Sequence, residues 1–398
     1  MLKISSNFRL DDAETVLLHL AKAPEHDRYI ELPASYDNQS SGVSAAIAQC
    51  IMTWAHRFGG QGFLITKSRQ KSSNDVAMDY TGKLPGIVAA CLAKEVRGPD
   101  QVLSLTKAFN EALDYRFTSM NKKDFQNTQK GKSVLLMAAD EKSSAKLDLL
   151  YAANINDYEI RNDPFIDDAE FEVLVKKILS SMLTPTRVAK ITGDNISSIA
   201  SVARELFANT YFHARTNADG TSVRKPIRGI YFSFQKIEQG NVYWITGEDR
   251  PLQRYIEYQK SRFGDNTTFL EVSVFDNGPG LAARVMGREL NEDDGIDDEY
   301  KSVSQCFKRG FTTRKIDTAG QGLHELIAIL KTQAGYFRLR SGRLSLFKQF
   351  KTRAPWAQSL SEQDLELLDT DTQSSRPTKL PFARGTLFTV LLPLNERM

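Results

Sequence analysis

The sequence has few cysteines and no long hydrophobic run. Its 398 residues contain three cysteines, Cys50, Cys91 and Cys306, whose wide spacing excludes a disulfide framework and a CxxC metal-binding pair. A transmembrane helix needs about 18 consecutive apolar residues, and no stretch of this sequence approaches that length. The N-terminal residues carry acids at Asp11 and Asp12, where a secretory signal would be basic and then apolar. We therefore expect a soluble, cytoplasmic protein without a membrane partner.

The chain also has little net charge. Lys and Arg number 52 and Asp and Glu number 49, which gives a net charge of +3. Such a balance does not indicate a dedicated nucleic-acid-binding or membrane-surface protein. Hydrophobic residues make up 41% and charged residues 25%, as in ordinary globular proteins. The length suffices for two or three domains of roughly 100–200 residues each.

The first 160 residues alternate between strand-like and helix-like patterns. The predicted elements are strands over 27–33, 62–66 and 133–138 and helices over 40–58 and 84–96. Strand–helix–strand units of this length favour an α/β fold with a parallel sheet. We place a domain boundary near residue 160, in an acidic and irregular stretch. The prediction is a smaller α/β domain at 1–160, in which we identify no chemistry.

The second predicted domain, 161–398, contains longer elements. Its predicted helices are 165–183, 196–215 and 323–332, its predicted strands are 228–237, 268–275 and 385–393, and 336–347 is predicted as a strand or a hairpin. Residues 238–266 form an insertion between two of the strands. Residues 284–319 contain the acidic tract NEDDGIDDE, which predicts a long mobile loop because it can bury little apolar surface.

Glu205 and Asn209 form the first candidate site. They are four residues apart on a predicted helix and therefore share one helix face. A carboxylate and a carboxamide one turn apart can serve one magnesium–water–phosphate cluster, because magnesium prefers oxygen ligands. The alternative is the solvent face of an ordinary amphipathic helix, on which Glu205 pairs with Arg204 or Arg215.

Asp276 ends a predicted strand and is followed by two glycines, Gly278 and Gly280. The glycines let the backbone pass close to a ligand, and the carboxylate offers an acceptor to an exocyclic amine. A plain turn is one alternative, since Asn-Gly and Pro-Gly are turn dipeptides. A dinucleotide-binding fingerprint ending at Ala283 is another, but a charged segment follows where that motif needs a helix and a second strand.

Glycines and arginines converge on the start of the predicted helix 323–332. The residues are Arg309, Arg314, Gly320, Gly322 and Leu323. Glycines at a helix N-terminus make an anion site from free amides and the helix dipole, and arginines add charge-assisted contacts. A fourth motif, Gly385-Thr386, comes at the start of the last apolar strand.

Together, in this order, the four motifs resemble the ATP-binding domain shared by gyrase, heat-shock chaperones, histidine kinases and mismatch-repair proteins, the GHKL superfamily. The first motif, Glu205–Ala214, resembles its N box, and the other three resemble its glycine boxes. The resemblance covers roughly residues 165–398. It implies a Bergerat fold, a two-layer α/β sandwich, with an ATP site.

The resemblance also implies roles for individual residues. Asp276 would recognise the adenine amine, Asn209 would hold magnesium, and Glu205 would be the general base that activates the attacking water. Residues 284–319 would be the ATP lid. The other implied nucleotide-binding residues are His213, Gly278, Gly280, Arg309, Arg314, Gly320, Gly322, Leu323 and Thr386.

The expected ligands are ATP and Mg²⁺, and the expected function is a slowly hydrolysing conformational switch or regulator in signalling. It would act through a protein partner, and homodimer formation is a further alternative. One alternative is a protein kinase of the histidine-kinase or anti-sigma-factor type that phosphorylates a separate protein, and His213 fits the histidine-kinase pattern. None of the five histidines falls between residues 57 and 212, which argues against a self-contained histidine kinase. A non-hydrolysing nucleotide-sensing adaptor is the third possibility.

Overall fold

The computed structural model describes residues 1–36, 40–67, 72–141, 145–152, 164–237, 242–264, 267–311, 322–355 and 359–394. These residues form a mixed α/β fold with one parallel and one antiparallel sheet. The strands are β1 (Leu2–Lys3), β2 (Tyr29–Leu32), β3 (Phe63–Thr66), β4 (Glu95–Arg97), β5 (Ser133–Ala139), β6 (Ile227–Lys236), β7 (Thr268–Asp276), β8 (Tyr336–Gly342), β9 (Leu344–Gln349), β10 (Leu368–Asp369) and β11 (Ala383–Pro393).

The α-helices of the described residues are α1 (Asp12–Lys22), α2 (Val43–Arg57), α3 (Ser73–Tyr80), α4 (Leu84–Leu92), α5 (Thr106–Asn121), α6 (Asp168–Met182), α7 (Pro185–Val188), α8 (Gly193–His213), α9 (Val242–Thr246), α10 (Arg250–Phe263), α11 (Leu281–Met286), α12 (Ile296–Gln305), α13 (Gly322–Gln333) and α14 (Glu362–Leu365). Five of them, α2, α4, α6, α8 and α13, overlap the helices that the sequence pattern predicts. Within the described ranges, none combines the length and the apolarity needed to cross a lipid bilayer.

The smaller sheet is parallel and consists of β1, β2, β3 and β4 in chain order. This confirms the α/β unit that the alternation of patterns predicts in the first part of the chain. We call β1–β4 together with α1–α5 the N-terminal unit. Its helix α2 packs against α1 and α4 on one side and against β7 and β11 of the larger sheet on the other.

The larger sheet is antiparallel, and its seven strands lie in the order β10-β9-β8-β11-β7-β6-β5. Helices α6, α8 and α13 contact strands of this sheet, and α2 contacts β7 and β11. Strand β5 precedes the predicted domain boundary at residue 160, yet it forms the sheet's edge by pairing with β6 from Ser133–Ser233 to Ala139–Ile227. All seven residues of β5 are buried.

The acidic stretch 284–319 is not simply a long loop, because it contains the end of α11 and all of α12; residues 312–319 lie outside the described residues. The reason is a long-range ion pair. The Glu299 carboxylate of α12 is fully buried and accepts hydrogen bonds from the backbone N and from Nε of Arg343, each at 2.7 Å. Arg343 lies in the turn between β8 and β9, so α12 is fixed to that hairpin.

We expect Glu299→Ala to release α12 from the β8–β9 turn. The substitution leaves the Arg343 guanidinium buried without its counter-charge, which lowers the free energy of unfolding by about 3–5 kcal/mol. Urea unfolding measures this loss, and hydrogen exchange should accelerate across α12. The control is Asp298→Ala on the same helix, whose carboxylate is 70% exposed and 3.6 Å from Lys301 Nζ. That exposed pair contributes about 1 kcal/mol or less, so equal losses in both variants would contradict the anchoring role of Glu299.

Candidate functional site

Helix α8 carries the first motif and meets α13 at a close contact. Glu205 and Asn209 lie on α8, and Gly322 begins α13. A Cβ atom on Gly322 would lie 2.5 Å from Glu205 Oε2 and 3.7 Å from Asn209 Nδ2. Only a glycine fits at this junction without a shift. The fold therefore brings together the first motif and the glycine that opens the predicted anion-binding helix.

The two carboxylate oxygens of Glu205 have different surroundings. Oε1 accepts a hydrogen bond from Arg204 Nη1 at 3.3 Å, and the Glu205 side chain is 30% exposed. Arg204 Nε also lies 3.4 Å from Asp168 Oδ1. The arginine pairing that the plain surface alternative predicts is thus present, and such a pair is worth only about 0–1 kcal/mol. Oε2 is the oxygen that faces Gly322 at the start of α13.

Asn209 carries an unpartnered polar atom at this junction. Its Nδ2 atom is buried and has no hydrogen-bond partner among the described residues. An unsatisfied buried amide costs about 1–3 kcal/mol, which a bound acceptor would recover. The amide faces the same junction as Glu205 Oε2.

Magnesium fits this junction only if another molecule supplies ligands. In the described ranges, no three His, Cys, Asp or Glu side chains are grouped so as to hold a metal ion. Asn209 and Glu205 offer two oxygen ligands at most. Magnesium commonly takes one or two protein oxygens and completes its octahedron with waters and phosphate oxygens. The residues therefore fit a phosphate-bound magnesium ion rather than a protein-only metal site.

Asp276 forms a second cluster at the end of β7. Its side chain is 95% buried (5% exposed) and pairs across the sheet with Thr386 of β11. The carboxylate accepts the backbone N–H of Gly278 at 2.8 Å. Burial raises the pKa of Asp276 to about 6, although the backbone amides of Gly278 and Thr386 and the nearby Arg384 and Arg284 oppose the rise.

The glycines of the second and fourth motifs pack against one another around Asp276. Gly385 has a φ of +76°, and a Cβ there would overlap the carbonyl oxygen of Asp276, so both conformation and space require glycine. A Cβ on Gly278 would lie 2.6 Å from Ala214 Cα, and one on Gly280 would lie 2.8 Å from Ser341 Oγ.

Helix α8 links the two clusters. Ala214, which contacts Gly278, follows Glu205 by nine residues, which correspond to roughly 13 Å along a helix. At this end of α8 the carbonyl of His213 accepts hydrogen bonds from Arg284 Nε and Nη2 at 3.1 and 2.7 Å. Both clusters therefore contact the C-terminal half of α8 or the residue that follows it.

The other predicted site residues have varied positions. Leu323 is buried in the first turn of α13, directly after Gly322. Arg309 is exposed in the segment that follows α12, and within the described residues nothing joins it to either cluster. Arg314 and Gly320 lie outside the described residues.

The sequence patterns assign no role to two arginines that shape the Asp276 cluster. Arg384 is 2% exposed, and its Nε donates to the carbonyl of Asn277 at 3.2 Å. Arg284 holds the end of α8 through His213 and also donates to the carbonyl of Thr216 at 2.6 Å. The only local sequence feature that points to Arg384 is its position directly before Gly385, at the start of an apolar strand. No local feature points to Arg284.

Comparison with known proteins adds no assignment. No protein-family model, curated protein or solved structure matches this chain. What bears on function is therefore the order of the four motifs and the two clusters that the fold makes from them. Those clusters join the first motif to Gly322 and the second motif to the fourth.

The raised pKa of Asp276 predicts a specific pH dependence of stability. The folded state keeps this proton up to about pH 6, whereas an exposed Asp, with a pKa of 3.8, releases it near pH 4. Because the folded state binds more protons in this window, the free energy of unfolding falls as the pH rises through it. Asp276→Asn cannot titrate. We expect the stability of the wild type relative to this variant to fall by up to roughly 3 kcal/mol between pH 4 and pH 7.

Urea unfolding at pH 4, 5, 6 and 7 measures this difference. Asp298→Asn is the matched control, because its carboxylate is 70% exposed and should give a profile nearly parallel to that of the wild type. Parallel profiles for Asp276→Asn and the wild type would show that Asp276 ionises normally in the folded protein.

Proposed function

We propose that this chain is a cytoplasmic, magnesium-dependent ATP-binding protein with a Bergerat-type site, and that it hydrolyses ATP slowly to switch its conformation and regulate a protein partner. The observation that carries the proposal is the junction at Gly322, where the N-terminus of α13 meets Glu205 Oε2 and the unpartnered amide of Asn209. The resemblance of the four motifs to the GHKL superfamily supplies the reaction class.

The junction at Gly322 has the chemistry of a triphosphate site. The free amides and the dipole at the start of the twelve-residue helix α13 attract phosphate oxygens, and a glycine there allows close approach. Asn209 offers Oδ1 to magnesium and Nδ2 to a phosphate oxygen. Magnesium would supply the positive charge that offsets the repulsion between Glu205 and the phosphates. Glu205 Oε2, which faces Gly322, would accept the proton of the attacking water.

The Asp276 cluster has the chemistry of an adenine site. The carboxylate accepts the backbone amide of Gly278 and retains lone pairs for a further donor. Adenine presents an N6 amine donor at the position where guanine presents its O6 acceptor. We therefore expect Asp276 to favour adenine over guanine nucleotides.

The binding residues are tested by calorimetry with ATP, with magnesium or with EDTA. Asp276→Asn turns an acceptor toward the adenine amine into a donor, and this mismatch should weaken binding by roughly 1–3 kcal/mol in both buffers. Asn209→Ala should weaken binding with magnesium more than binding without it. Wild-type affinity in both variants would remove both residues from the site.

The hydrolytic residue is tested by the rate of phosphate release. Glu205→Gln removes the base but keeps the size of the side chain, so ATP affinity should stay nearly unchanged while hydrolysis falls by on the order of 10²–10⁴-fold. Glu325→Gln, at an exposed position on α13, is the control and should hydrolyse ATP like the wild type. If Glu205→Gln also behaves like the wild type, Glu205 serves only in its surface pair with Arg204.

Incubation with ATP labelled in the γ position separates this function from the two alternatives. Released labelled phosphate supports the slow ATPase. Label on a protein supports the phosphotransferase acting on a separate protein. Binding without release or transfer supports the nucleotide-sensing adaptor.

A further inference from the structure

Strand β11 starts with a β-bulge beside Asp276. Its pairing with β8 passes from Ala383–Gly342 directly to Thr386–Ser341, so Arg384 and Gly385 have no partner on β8. The carbonyl of Gly385 instead accepts a hydrogen bond from Ser341 Oγ at 3.1 Å. The first residue after the bulge, Thr386, is the register partner of Asp276 on β7. The bulge therefore sets where Thr386 lies beside Asp276.

A residue of the N-terminal unit holds this bulge. The backbone N–H of Arg384 donates to Thr53 Oγ1 on α2 at 2.9 Å. Thr53 is 5% exposed, and its own hydroxyl donates to the carbonyl of Gln49 at 2.9 Å. One turn earlier, Gln49 Nε2 donates to the carbonyl of Arg340 on β8 at 2.9 Å. Helix α2 is thus hydrogen-bonded to both strands of the bulged pair, β11 and β8.

The side chain of Arg384 extends this connection into the candidate site. Besides the carbonyl of Asn277, its guanidinium donates to Asn217 Oδ1 at 2.6 Å and to Glu289 Oε2 at 3.1 Å. Asn217 follows α8, Asn277 belongs to the second motif, and Glu289 follows α11. One buried residue therefore joins α2, through its backbone, to three segments around Asp276.

We propose that Thr53 is a positioning residue of the nucleotide site, which acts through the Arg384–Gly385 bulge, so that the N-terminal unit contributes to the site. This inference rests on the proposed ATP function. Its consequence is that nucleotide at the Asp276 cluster and the state of the N-terminal unit influence each other through α2, since coupling between two sites is reciprocal.

The test compares Thr53→Val with Thr53→Ser. Val has nearly the shape of Thr but no acceptor for the buried Arg384 N–H, whereas Ser keeps the hydroxyl. In calorimetry with ADP and magnesium, Thr53→Val should bind about 5- to 100-fold more weakly than the wild type, and Thr53→Ser should bind within about twofold of it. In steady-state hydrolysis, Thr53→Val should raise KM for ATP with kcat nearly unchanged, because Glu205 lies roughly 13 Å along α8 from the Asp276 cluster.

Thr81→Val is the matched control. Thr81 is also buried in the N-terminal unit, and its hydroxyl donates to the carbonyl of Ala77 at 2.7 Å, away from the bulge. Thr81→Val should bind ADP like the wild type. If Thr53→Val and Thr81→Val lose binding and thermal stability alike, the effect is general destabilisation and the positioning role is overturned. If Thr53→Val does not fold, Thr53→Cys replaces it, because a thiol is a weak acceptor.

Hydrogen exchange without nucleotide separates failure of this inference from failure of the ATP function. Thr53→Val should accelerate exchange of the amides of residues 384–386, and Thr53→Ser should not. A wild type that binds no adenine nucleotide refutes the ATP function, and unchanged exchange at 384–386 refutes the bulge support on its own. A wild type that binds ADP, with equal affinity in Thr53→Val, refutes the positioning role and leaves the ATP function standing.

Discussion

The fold depends on the burial of one helix, α2, on all of its sides. Every residue from Val43 to Ala55 except Ser44 is buried, and a helix that is apolar all round must be covered all round. Helices α1 and α4 cover one side, and strands β7 and β11 cover the other. One continuous apolar core therefore runs from the N-terminal unit into the larger sheet.

Buried polar contacts fix the orientation of α2 on the larger sheet. Apolar burial is non-directional, so it does not by itself fix how α2 lies on the sheet. The Glu271 carboxylate of β7, which is 1% exposed, accepts the backbone N–H of Gly42 and the hydroxyl of Ser41, each at 3.0 Å, at the start of α2. Burial raises the pKa of Glu271, and these hydrogen bonds oppose the rise. Glu271 thus holds the start of α2, and Thr53 holds its last turns.

Local patterns predict the elements but not their long-range partners. The alternating, β-rich pattern over 268–275 matches β7 to within one residue, although eight of the nine residues of this strand are buried. Strand β5 was equally visible in the sequence. Its pairing with β6, more than 90 residues later, was not, since no local feature encodes it. Likewise, the acidity of the tract around Glu299 gives no sign of Arg343, 44 residues further on.

In the candidate site, too, local sequence patterns predict some residues but not their long-range partners. The order of the motifs was enough to select Glu205, Asn209, Asp276 and Thr386, and the fold gathers these residues into two clusters along α8. Arg384 was visible only as the residue before a glycine, because its importance comes from partners scattered over the chain. Resemblance between motifs selected residues that the fold gathers into clusters, whereas the residues that support those clusters depend on the particular fold.

The place of β11 in the larger sheet has a consequence for synthesis of the chain. This strand lies between β7 and β8, yet it follows both of them in sequence. While the ribosome is still making the residues before 383, β7 and β8 each have an open edge, and the face of α2 that rests on β11 has no cover. Exposed strand edges and apolar surface on a nascent chain invite aggregation. The larger sheet thus closes only after about residue 393 has emerged, so this part of the molecule depends on folding late and on protection until then.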